Sequence, residues 1–82
     1  MEVSNMARLT KLPSGNAINM QLVASINLYP GKGVACRDDE QRMLAWIEVT
    51  DIEKGKQARQ LLIRLTQPGM GGVDPDWGFL DE

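Results

Sequence analysis

Histidine is missing from this chain of 82 residues, and cysteine occurs once. The first absence removes the side chain that most often serves as acid, base or metal ligand near neutral pH. The second excludes any disulfide within the chain. Aromatic residues are scarce, at two Trp, one Tyr and one Phe. No apolar run approaches the roughly 20 residues that cross a membrane as a helix, and the N-terminus lacks the long apolar core of a secretory signal. A soluble, cytoplasmic protein is expected. A chain of this length buries only about 60 to 65% of its unfolded surface, so its core is marginal. Disulfides, metals or self-association commonly support such domains; with no second cysteine and no histidine, self-association remains, and a homo-oligomer is expected.

The formal net charge of −2 is unevenly spread. Residues 1–67 hold all nine bases against seven of the eleven acids, while residues 68–82 carry Asp74, Asp76, Asp81 and Glu82 and no base. A mildly basic domain over 1–67 followed by an acidic, Gly- and Pro-containing tail over 68–82 is the expected organisation.

The strongest local pattern lies in residues 56–66. Ala58, Leu61, Leu62 and Leu65 follow the spacing of one helical face, among good helix formers such as Gln57, Arg59 and Gln60. Thr50 with Glu53 has the form of a capping box, but Gly55 weakens a helix begun that early, which moves the expected start to Lys56. Gln67, Pro68 and Gly69 end it. Ile63 falls outside the leucine face; a strand with Leu61, Ile63 and Leu65 on one side is the rival reading.

Upstream, period-2 alternation predominates. Residues 6–12 suit a first strand, followed by the turn Pro13-Ser14-Gly15-Asn16. In residues 21–29, Leu22, Ala24, Ile26 and Leu28 alternate with Ser25 and Asn27. Pro30-Gly31 fits a type II turn. Residues 34–36 suit a short strand, and Asp38-Asp39-Glu40 a solvated turn. Met43, Ala45, Ile47 and Val49 alternate with Leu44, Trp46 and Glu48, which predicts a strand; the alternative is a helix capped by Asp38. The expected fold is α+β: a small antiparallel sheet of three or four strands covered by one C-terminal helix, followed by the acidic tail.

The run Leu12-Pro13-Ser14-Gly15, then Ile18-Asn19, Val23 and Ile26, with an Ala-x-x-Leu-Leu helix near the end, resembles the small bacterial proteins of the flagellar FlbD-like family. The resemblance covers about half the chain and departs from it in the loop over 30–41 and after Gln67. It implies an antiparallel sheet closed by a helix, and an accessory or regulatory role without catalysis.

The residues themselves offer little chemistry. Arg37 and Lys32 near Cys36 favour a thiolate, but no base stands ready to serve a nucleophile, and a small strand residue is the plainer reading. Adjacent acids at 38–40 project to opposite faces of a strand. Asp74-Pro75-Asp76-Trp77-Gly78 lacks the glutamate that closes a calcium loop. Gly31-Lys32-Gly33 and Gly69-Met70-Gly71-Gly72 lack the order of a phosphate-binding loop. No catalytic residue, cofactor or metal is expected.

Two binding readings remain. Trp77, Phe79 and Leu80 are large apolar groups on an acidic segment and are expected to bury on their own domain or on a second copy, with Asp76, Asp81 or Glu82 near Lys56, Arg59 or Arg64. Together with Trp46 on the outer sheet face, and Arg59 and Ile63 on the exposed helix face, they suit a protein-binding surface. The expected function is a small non-enzymatic regulatory protein acting through protein contacts, a phage-type inhibitor included. The alternative is a weak RNA- or DNA-binding regulator using Lys56, Arg59 and Arg64, with Trp46 stacking a base. The pI near 5.0 opposes strong phosphate binding.

Overall fold

The computed structural model describes residues 9–67 and 75–81. Its elements are β1 (Thr10–Lys11), β2 (Ala17–Ile18), β3 (Ser25–Tyr29), β4 (Gly33–Arg37), β5 (Met43–Glu48) and the helix α1 (Ile52–Leu65). Single 3-10 turns occur at Met20–Leu22 and Gly78–Asp81. Strands β3, β4 and β5 form an antiparallel meander in that order, and β1 pairs with β2 in a separate two-stranded ribbon. The fold is α+β, as expected, with the described part of the first strand in the ribbon instead of the main sheet.

Alternation decides which side of the sheet meets the helix. Ile26 pairs with Cys36 and Leu28 with Val34, while Cys36 pairs with Ala45 and Val34 with Ile47. These side chains join Ala58, Leu62 and Leu65 of α1 in one apolar cluster, completed by Leu12, Met20 and Val49. Leu62 is the largest fully buried side chain among the described residues; a Leu→Ala change at such a site typically costs about 2 to 5 kcal/mol.

The helix begins four residues before Lys56. Its cap is Asp51, whose side chain accepts from the Lys54 N–H at 3.1 Å, so the anticipated box of Thr50 and Glu53 is displaced by one residue. Gly55 lies inside the helix, buried, where a Cβ would stand 2.9 Å from Leu28 Cδ1. Glycine here lets the first helical turn approach β3, and this tertiary contact outweighs its poor helix propensity. Thr66 closes the other end, its hydroxyl donating to the Ile63 carbonyl at 2.6 Å.

Residues 21–29 do not form one strand. Asn19 caps the turn Met20–Leu22 by accepting from the Gln21 N–H at 2.9 Å, and Leu22 is turned out to solvent. This local side-chain bond competes with extension and delays β3 to Ser25. Pro30-Gly31 makes the expected turn: the Lys32 N–H reaches the Tyr29 carbonyl at 2.9 Å, and Gly31 has φ +79°. The short strand expected at 34–36 is the middle of the central strand, β4.

The acidic run at 38–40 is only partly solvated. Asp38 is buried and accepts from the backbone N–H groups of Glu40 and Arg42, each at 2.9 Å, and from Arg42 Nε at 2.8 Å. The bond from the Arg42 backbone is the main cause that lowers the Asp38 pKa. This turn delivers the chain into β5, so the segment is a strand and Asp38 caps no helix.

Residues 75–81 fold back on the domain. Trp77, Phe79 and Leu80 are half-buried against the main cluster, and Trp77 Nε1 donates to the Lys11 carbonyl at 2.8 Å. Residues 68–74 and 82 lie outside the described residues, and with them Asp74, Glu82 and the Gly69 to Gly72 run. Among the described residues, no helix is long and apolar enough to cross a membrane.

Candidate functional site

The face of the sheet turned away from α1 is built by the alternate residues of the same strands. Pairing sets Tyr29 beside Gly33, Asn27 beside Ala35 and Ser25 beside Arg37; Trp46 stands beside Ala35, and Glu48 beside Gly33. Two aromatic rings dominate it. Tyr29 and Trp46 have centroids 5.9 Å apart with planes inclined by 34°, and remain 38% and 40% exposed.

Glycine at position 33 allows this arrangement. A Cβ there would lie 2.6 Å from Trp46 Cζ2 and 2.3 Å from the Ile47 carbonyl oxygen. The indole therefore lies across bare backbone and leans toward Tyr29. From the other side, Arg37 donates to the Tyr29 hydroxyl at 3.0 Å. These two residues sit at opposite ends of the β3–β4 pairing, so their side chains must lie along the face to meet, and Ala35 beneath is fully buried. The result is a Trp–Tyr–Arg patch joined by a tilted ring contact and a hydrogen bond.

The other residues singled out in the sequence fall elsewhere. Trp77, Phe79 and Leu80 dock on their own domain, and the Trp77 and Phe79 rings meet at 6.1 Å. The carboxylate of Asp76 does not approach the helix bases; it accepts from the Gly78 N–H at 2.8 Å. Among the described residues, ion pairs join Arg42 to Asp38 and Glu40, and Lys56 to Glu53. None links Asp76 or Asp81 to Lys56, Arg59 or Arg64, because the 75–81 segment is held at the ribbon through Lys11.

Arg59 and Ile63 do not stand on an open helix face. Both are half-buried beside β3, in a cleft of about 220 Å³ shared with Val23, Ser25 and Thr66. Arg59 Nε donates to the Ile26 carbonyl at 3.3 Å. The helix bases therefore lie on the side of the sheet opposite Trp46, and Lys56, Arg59, Arg64 and Trp46 form no single surface.

Cys36, in the middle of β4, is fully buried. Loss of hydration pushes its thiol pKa up to about 11, which leaves it protonated at neutral pH and enclosed. A depression of about 590 Å³ lies at the far end of the sheet, between exposed Leu22 and Met43 and beside the Asp38–Arg42 pair. Among the described residues, no group of three acidic or thiol side chains is placed to hold a metal ion.

Tyr29 and Arg37 were not legible as site residues. Alternation continued past Asn27 puts Tyr29 on the outer face, but its approach to Trp46 needs the β3–β4–β5 register, and the Arg37 contact spans eight residues of chain. No known protein family, curated protein or solved structure matches this chain.

Proposed function

We propose that the protein is a small non-enzymatic regulatory factor that binds other proteins through the outer face of its sheet and acts as a homo-oligomer. One observation carries the reading: the exposed rings of Tyr29 and Trp46 are in contact, and Arg37 donates to the Tyr29 hydroxyl beside them. Aromatic residues and arginine are the groups that most often dominate interface energies, and anchors already held in place lose little entropy on binding.

Affinity capture from the host with nuclease present, comparing the full chain with Trp46→Ala and Arg37→Ala, tests this. A protein partner retained at moderate salt by the full chain and lost with both variants is the expected result. Recovery that vanishes with nuclease and weakens steeply with salt supports a nucleic-acid regulator instead. Equal capture by all three chains refutes the assignment to this face.

A further inference from the structure

We propose that β3 is the seam of a two-fold homodimer, pairing antiparallel with β3 of a second copy to make one six-stranded sheet. This deepens the oligomeric part of the function proposed above and leaves the Trp46 face open. Among the described residues, strand β3 is an edge of the meander. Natural sheets blunt their edges with charge, proline, bulges or a covering segment. Ser25, Ile26, Asn27, Leu28 and Tyr29 carry no charge and no proline. The opposite edge is managed differently: β5 carries Glu48, and Pro13, Ser14, Leu80 and Asp81 gather beside its Trp46 to Glu48 end.

The backbone of β3 is positioned for such pairing. Arg59 reaches the Ile26 carbonyl, so this group points away from β4, and antiparallel alternation sets the backbone groups of Leu28 on the same edge, with which no described strand pairs. At 3.3 Å the arginine contact is longer than a usual N–H···O bond. A carbonyl also has a second lone pair, so Arg59 does not close the edge.

The strand is complementary to itself. A two-fold axis at Asn27 sets Ile26 against Leu28 of the second copy, apolar with apolar on the helix side. Ser25 then meets Tyr29 of the second copy on the outer side, and because the period is two, every residue keeps its face. Ile26, Leu28 and Ile63 are only half-buried in one chain, and pairing covers more of them. Two outer patches then lie on one continuous surface. Five residues per strand make a small interface, so a dissociation constant in the micromolar range is expected.

Position 27 faces itself across the axis at about 5 Å, which gives the test. Sedimentation equilibrium of the full chain should show a monomer–dimer equilibrium. Asn27→Lys and Asn27→Glu should each weaken it several-fold, with unchanged circular dichroism, and an equimolar mixture of the two should form a heterodimer about tenfold tighter than either variant alone. A wild-type chain still monomeric at about 1 mM overturns the proposal, as does a dimer indifferent to both substitutions. Neither result touches the binding role of Trp46, which the Trp46→Ala capture reads separately.

Discussion

Replacing Gly33 by alanine should destabilise the protein although it adds one methyl group. The new Cβ would lie 2.3 Å from the Ile47 carbonyl oxygen and 2.6 Å from Trp46 Cζ2, where ordinary contact begins at 3.4 Å. The indole can swing away, but the carbonyl belongs to the β4–β5 pairing and moves only if the strands part by about 1 Å. Overpacking of this kind typically costs 1 to 3 kcal/mol. A stiffer unfolded chain returns about 0.4 to 1 kcal/mol. The net loss should be about 1 to 2 kcal/mol, and at 4 to 8 °C per kcal/mol the melting temperature should fall by roughly 5 to 15 °C. Thermal unfolding followed by far-ultraviolet circular dichroism measures this, and fluorescence of Trp46 in a Trp77→Phe background reports whether the indole has left the face. Stability within 0.5 kcal/mol of the parent, with unaltered Trp46 emission, would mean that Gly33 does not seat the ring.

The cap can be tested by contrast: Asp51→Ala should lose about 1 kcal/mol in urea unfolding, whereas Thr50→Ala should be close to neutral. Trp77→Phe keeps most of the apolar contact but removes the hydrogen bond to the Lys11 carbonyl, so about 1 kcal/mol of stability should go, with faster amide exchange at Leu80. Asp38 gives a pH dependence. Its folded pKa lies below the ordinary 3.8, so its contribution is complete above the unfolded value and is lost as pH falls through the lower folded one. Asp38→Asn should therefore flatten the acid side of a stability–pH curve below about pH 4; an unchanged slope would show that the turn does not depend on the ionised carboxylate.

What the sequence made legible was local. The leucine spacing in α1 and the β-rich run around Trp46 are periodic patterns that need no knowledge of the rest of the chain. Pro30-Gly31 is likewise read from backbone preference alone. What was not legible depended on neighbours distant in sequence. Gly55 looks like a helix breaker until Leu28 is seen packed against it. Leu22 looks like a strand residue until Asn19 is seen to cap the turn beneath it. The apolar character of Trp77, Phe79 and Leu80 announced burial, while the hydrogen bond to Lys11 that fixes where they bury crosses 66 residues. The candidate site divides in the same way: Trp46 is visible in the strand pattern, and its partners Tyr29, Gly33 and Arg37 become visible only with the register.

The proposed binding surface is tested most directly by photocrosslinking in living host cells. A benzophenone amino acid is placed in turn at Glu48, beside Trp46 on the outer face, and at Gln60, exposed on the helix. A discrete covalent adduct with another protein from position 48, and none from position 60, is the expected result. Adducts from position 60 alone, or none with protein from position 48, would contradict the assignment of the Trp–Tyr–Arg face as the surface through which this protein acts.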